Sequence, residues 1–228
     1  MRCCATPAWH WRPDSPRFGC RSMSRDHSIS FFDTQFRSAT SVASAGSSAL
    51  NPFETLALPY LSGAVLDFGC GLGNLACAAA RQGCRVTALD ASVVAIDHLQ
   101  HRAADEQLSV SATLADLRDY PISGSFDAVV AIGVLMFFDC TTAYRVLHEL
   151  QSSTRPGGVA VVNVLIVGTT FMDMFAPDGG HCLFPSDELA RRFAGWEILQ
   201  AETHDFDAPH QTIKRFATLI ARKPGGEG

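Results

Sequence analysis

VLDFGCGLGN, residues 65–74, decides how this 228-residue chain is read. The run from Ala64 to Phe68 has the continuous hydrophobicity of a strand buried on both faces. Glycines at 69, 71 and 73 then let the chain turn tightly and aim backbone N–H groups at a ligand near the start of the next helix. A dinucleotide fingerprint is G-x-G-x-x-G, whereas the spacing here is G-x-G-x-G with Asn at 74, which disfavours a pyrophosphate. Asp67, two residues before the first glycine, also repels a polyanion and suits a cation bearing an ammonium and a sulfonium.

Working outward, the chain alternates. An Ala-rich helix is predicted from Asn74 to Gln82, a strand over Arg85–Leu89, a helix from Ser92 to Glu106, and strands over Val110–Leu114 and Phe126–Ile132. A helix from Thr141 to Ser153 then ends at Arg155-Pro156-Gly157-Gly158, followed by a strand over Gly158–Val167. This rhythm makes an α/β fold, a doubly wound and mostly parallel sheet with helices on both faces. The last third changes character, with a helix over Glu188–Phe193 and two strands, Trp196–Glu202 and Ile213–Ala221. These two form a hairpin that brings the sheet to seven strands, the last antiparallel.

Upstream, Phe53–Tyr60 reads as a short helix behind Pro52. Residues 38–48 are rich in Ser, Ala, Thr and Gly and read as a mobile entry, with Phe31, Phe32 and Phe36 as anchors before it. The expected organisation is a disordered extension at 1–22, a flexible segment at 23–50 and one domain at 51–224. Met23-Ser24-Arg25-Asp26 also reads as an ordinary start, so residues 1–22 are an extension whose presence in the native protein the sequence leaves open.

With 18 Lys+Arg against 23 Asp+Glu, a formal charge of -5 and only two lysines, Lys214 and Lys223, the chain lacks the basic footprint of a nucleic-acid binder. No apolar run reaches the roughly 18 residues of a membrane span. Eight cysteines without a CxxC pair or a secretory leader read as reduced thiols of a cytoplasmic protein. Cys70, Cys77 and Cys84 read as small core residues, and no metal site is expected.

Two further carboxylates end strands. Asp90 closes the second, where it can accept both ribose hydroxyls, and Asp116 follows the third, where it can read an adenine edge. VLDFGCGLGN, the acid of TALDAS, the ADL after the third strand, FDAVVAIGVLMFF and the RPGG turn together resemble a class I S-adenosylmethionine-dependent methyltransferase, over about Leu50 to Arg222. VLMFF, ELARRFAGWEIL and KRFATLIARKP are most similar to the tellurite-resistance-type methyltransferases. The chain departs from that family at His210-Gln211, where a His-Arg pair stands, so the family's acceptor chemistry is not carried over.

The resemblance implies a Rossmann-like fold and S-adenosylmethionine as cofactor, leaving S-adenosylhomocysteine as product. It places Asp67, Gly69, Cys70, Gly71 and Gly73 at the methionine end. Asp90 and Ala91 would hold the ribose, Asp116 and Leu117 the adenine, while Ile132 and Gly133 face the sulfonium. Methyl transfer is an in-line displacement at an activated carbon, so alignment and exclusion of water dominate and a base is optional. His181, His210 and Arg215 are the catalytic candidates, with Arg37 as a further anion ligand. The bland reading of each is a surface or loop-capping group.

Two stretches could overhang the site, Gly168–Cys182 and Asp205–Thr212. The expected acceptor is a small molecule, for instance a thiol or a chalcogen oxyanion, met by a monomer or homodimer with neither nucleic acid nor membrane as partner. The alternative is a cofactor-binding sensor or partner subunit that performs no transfer. Cys140 and Cys182 offer only a weak hint of a trivalent arsenic acceptor.

Overall fold

A computed structural model describes residues 23–42, 49–175 and 180–226. The extension at 1–22, residues 43–48 of the small-residue segment and residues 176–179 of the long loop lie outside these. Helix α1 (Met23–Val42) comes first, then α2 (Pro52–Ala57), β1 (Ala64–Phe68), α3 (Asn74–Arg81), β2 (Arg85–Asp90), α4 (Val93–Asp105) and β3 (Val110–Leu114). There follow β4 (Phe126–Ile132), α5 (Cys140–Ser153), β5 (Thr154–Leu165), α6 (Glu188–Arg192), β6 (Glu197–Ala208) and β7 (Thr212–Arg222).

The seven strands run in the order β3-β2-β1-β4-β5-β7-β6. Strands β1 to β5 pair in parallel, and β7 is antiparallel to both β5 and β6. The order reverses beside β1, the switch point where open α/β sheets bind ligands beyond the strand carboxyl ends. Two apolar layers cover the sheet, because successive strand residues face opposite sides. Leu66 and Phe68 of β1 join Leu135, Leu147 and Phe184 on the α5 and α6 side. Val65 joins Ala57, Leu75, Ile96 and Leu99 on the side of α2, α3 and α4. Asp67 shares the face of Val65 and is therefore a carboxylate set into an apolar layer, 5% exposed.

Helix starts follow their caps. Asn51 accepts from the N–H groups of Phe53 and Glu54 while Glu54 returns a bond to the Asn51 N–H, a reciprocal box that allows a helix of only six residues. Ser92 caps α4 through the Ala95 N–H, and Asp139 caps α5 through the Thr142 N–H. Gly73 precedes α3 with φ of 71°, and a Cβ there would lie 2.4 Å from Leu99 Cδ1, so close packing against α4 and backbone sign both require glycine.

Four expectations change. The segment 23–50, read as flexible, is helical over Met23–Val42, because Phe31 and Phe32 pack on the cluster of Phe137, Phe171 and Phe175 and tertiary burial supplies what local propensity does not. The RPGG stretch is not a turn before β5 but its beginning: pairing with β4 shifts between Phe126 and Ala128, a bulge that absorbs Arg155 to Gly158. Strand β6 reaches Ala208 rather than Glu202, so Asp205–Thr212 is the tip of a hairpin and not an overhanging loop. As an edge strand it alternates exposed charges with half-buried residues, which dilutes the apolar signal of a strand.

The fourth change concerns the cysteines. Cys140 and Cys182 form a disulfide, with Cα atoms 4.7 Å apart, instead of standing as free thiols. Forty-two residues separate them in sequence, and the return of the chain after β5 brings them together. Cys70, Cys77 and Cys84 are free and buried. Among the described residues no helix is long and apolar enough to cross a membrane.

At the hairpin tip, His210 and Gln211 have φ of 59° and 58°, the left-handed region that costs an L-residue roughly 1–2 kcal/mol. Gln211→Gly should stabilise the protein by about 0.5–1 kcal/mol, read as a higher urea midpoint at unchanged slope.

Candidate cofactor site

The loop from β1 to α3 is pinned to β2. Gly69 and Cys70 donate their N–H groups to Leu89 O at 2.8 and 3.0 Å, and Gly73 donates to Cys70 O at 2.9 Å. Asp90, at the end of β2, completes the tie. Its Oδ2 accepts from Gly71 N at 2.8 Å and its Oδ1 from Ser92 N at 2.9 Å. Ser92 in turn donates its hydroxyl to Asp33 of α1.

Above these strand ends lies a pocket of about 390 Å³, within the range of small-molecule sites. Of the residues that the resemblance assigns to the cofactor, Asp67, Gly69, Cys70, Gly71, Asp90, Ala91, Asp116, Leu117, Ile132 and Gly133 line it. Gly73 does not; it is held back by its packing against Leu99. A Cβ at Gly69 would lie 2.6 Å from Val134 Cβ, so that glycine lets the loop pass under the end of β4.

The electrostatics are one-sided. Burial pushes the Asp67 carboxyl up to about 8, helped by the neighbouring charges of Glu54 and Asp90. Its Oδ2 is buried without a hydrogen-bond partner. Glu54, which lines the same end, is also raised by burial, against the lowering effect of its bond from Asn51. Burial raises Asp90 as well, opposed by the N–H groups of Ser92, Gly71 and Ala91. Three carboxylates thus converge beside the glycine loop, while Arg118 lines the other end, by Asp116. Asp116 accepts from the Arg118 N–H, so it shapes a bend and lines the pocket at once.

Sequence reasoning singled out Phe32 and Phe36 but not the other residues of the roof. Ser28, Ile29, Phe32 and Phe36 of α1, Asn51 and Glu54 of α2, and Val134, Phe137 and Phe138 after β4 face the cavity. Phe32 meets Phe137 edge to face at 4.9 Å. The N-P-F-E capping box was the available signal for Glu54; nothing local distinguishes Ser28.

The catalytic candidates stand outside this lining. His210 is exposed at the hairpin tip. Arg215 is committed to Asp205, donating to both carboxylate oxygens at 2.7 and 2.6 Å. Arg37 is largely exposed, 3.9 Å from Asp33. His181 stacks on Phe175 with ring centres 4.5 Å apart, and its Nδ1 is buried without a partner. Phe171, Met174 and Phe175 pack down onto Met136, Phe137 and Leu165, while Met172 is exposed. No group of three potential metal ligands occurs among the described residues.

Residues 65–158, from β1 into β5, match a protein-family model described as a methyltransferase domain. Over those residues the chain carries a methyltransferase domain. It is 36% identical over 112 residues to a magnesium-protoporphyrin O-methyltransferase of Rhodobacter capsulatus, covering 49% of this chain and 48% of the relative. It is 31% identical over 166 residues to Hemagglutinin 1 of Eikenella corrodens, covering 70% of this chain and 54% of that protein. The chain therefore spans about half the length of these curated relatives. In fold it is similar to TehB of Haemophilus influenzae, with a TM-score of 0.67 at 21% identity, covering 86% of this chain and 67% of the other.

The pocket fits S-adenosylmethionine, the cofactor that the sequence resemblance implies, on a point internal to the structure. Asp67 Oδ2 is an orphaned acceptor in an acidic corner, which a cationic amino group satisfies and a carboxylate or phosphate does not. A proton must then leave Asp67 when a cation arrives below pH 8, so affinity for the cofactor should rise with pH by up to about tenfold per unit between pH 6 and 8 and flatten above. Because the folded-state value lies above the unfolded one, the empty protein loses stability as pH rises from about 4 to 8. Asp67→Asn should gain on the order of 3 kcal/mol at pH 7 without ligand, abolish the pH slope of binding and weaken affinity, as read by thermal melts and titration calorimetry.

Proposed function

We propose that this chain transfers a methyl group from S-adenosylmethionine to a small-molecule acceptor. The observation that carries the reading is the unpartnered Asp67 carboxylate beside a glycine loop clamped by Asp90. In this reading Asp67, Glu54 and the glycine loop hold the methionine end. Asp90 takes the ribose hydroxyls on lone pairs left after its two backbone bonds, since a carboxylate offers about four acceptor sites. Asp116 and Leu117 hold the adenine, and Ile132 and Gly133 lie by the reacting centre.

The cofactor supplies a methyl carbon already activated by the sulfonium. What the chain adds is alignment and dryness: Phe32, Phe137 and Phe138 wall the pocket with apolar surface, which keeps water from competing with the acceptor. The ionisable groups that line it are carboxylates, Arg118 and the Cys70 thiol, whose ionisation burial opposes, and the sequence-predicted histidines stand off it. That supports an acceptor whose lone pair needs no base, such as a thiol or a chalcogen oxyanion. A cytoplasmic setting belongs to the same proposal.

Titration calorimetry with S-adenosylmethionine and S-adenosylhomocysteine tests the reading. Micromolar binding of both is expected, with a loss of about tenfold or more in Asp90→Ala from the missing charge-assisted bonds. Turnover is then sought with thiols, selenite, tellurite, phenols and amines. Tight binding without turnover on any of them would make the chain a cofactor sensor, and no binding by the folded protein would overturn the site.

A further inference from the structure

The strand-end wall of the pocket is held from behind by one covalent bond. After β4, Gly133 and Val134, the short 3-10 turn Leu135–Phe137 and Phe138 pass along the cavity before Asp139 caps α5. Cys140 is the first residue of α5 and is exposed. Cys182, fully buried, lies in the segment that returns from β5 and is bonded to it. The two sides also meet through Cys182 N, which donates to Met136 O at 3.0 Å, and through Phe175 against Phe137 at 5.3 Å. Among its described residues, the returning segment pairs as strand only through the bridge of Ile166 to Phe184.

Two features mark this disulfide as exchangeable rather than a stability staple. A chain of this size with two full apolar layers does not depend on a cross-link for its core. One of its sulfurs belongs to a surface residue, whereas the free thiols of Cys70, Cys77 and Cys84 are all buried and unreactive by comparison. An attacking thiolate therefore reaches Cys140 Sγ and not Cys182 Sγ.

We propose that Cys140–Cys182 is a thiol–disulfide exchange site for a soluble dithiol reductant, and that its oxidation state sets how firmly the pocket wall from Val134 to Phe138 is held. Reduction begins when a thiolate attacks Cys140 Sγ. The Cys140–Cys182 bond breaks, and Cys182 leaves as a thiolate that takes up a proton. The reductant's second thiol then attacks its own sulfur in the mixed disulfide and releases Cys140. The protein gains two electrons and two protons, and the reductant departs as a disulfide. The returning segment is then tied to the wall by the Cys182 bond to Met136 and by packing alone.

Differential alkylation with mass spectrometry, joined to amide hydrogen exchange on the full chain with and without dithiothreitol, tests this. The pair should convert as a unit and reform in glutathione disulfide. Exchange over residues 134–138 and 181–184 should quicken by about tenfold on reduction, with β1 and β4 unchanged. Cys140→Ser, at an exposed position, should show the fast pattern in either buffer, and Cys182→Ala gives a second reading should one variant fold poorly. Affinity for S-adenosylhomocysteine should weaken by about threefold on reduction but not in Cys140→Ser. Equal exchange in the two states, or thiols that stay free in glutathione disulfide, overturns the proposal. The affinity arm rests on the proposed function while the exchange arm does not, so absence of binding in both states refutes that function and leaves the exchange site to be judged by its own readout.

Discussion

Asp90 is the joint on which the site depends. One of its oxygens holds the N–H of Gly71 and the other the N–H of Ser92, so a single carboxylate fixes the glycine loop of β1 to the start of α4. Ser92 caps α4 and reaches Asp33, which ties the roof helix into the same chain of bonds. Loop, helix start and roof are thus positioned together. The side chain proposed to take the ribose is thus already a structural clamp, and its geometry is set before any ligand arrives.

Asp67 is the counterpart. It sits in the apolar layer of Val65 and Leu75 with an acceptor that nothing among the described residues answers. Burying it opposes folding, because its charged form is desolvated and is stabilised only when a positive charge, a proton or a cationic group, arrives. Glu54 adds to this from α2, held in place by the capping box that starts that helix. The acidic corner is therefore built from two elements far apart in sequence, each stable for its own reasons.

The central α/β unit was legible because its signals are local. The apolar runs of β1 and β4, the caps at Ser92 and Asp139 and the glycine spacing each act within a few residues. The roof was not, since α1 is a weakly patterned Ser- and Thr-containing helix whose order comes from Phe31 and Phe32 meeting Phe137 and its neighbours more than 100 residues on. Gly73 misled for a related reason: motif position suggested ligand contact, while Leu99 of the next helix claims the space. The Cys140–Cys182 pairing was hidden because it depends on how the chain returns after β5, which no spacing of cysteines encodes.

Strand β6 leaves one border of the sheet open, and its chemistry bears on how copies of the protein treat one another. Glu197, Glu202, Asp205 and Asp207 are spread along it, two of them answered by Arg222 and Arg215 of β7. A neighbouring strand adding to this border would bring its own carboxylates against these or bury them unanswered. The border therefore disfavours strand-by-strand stacking of one copy on another.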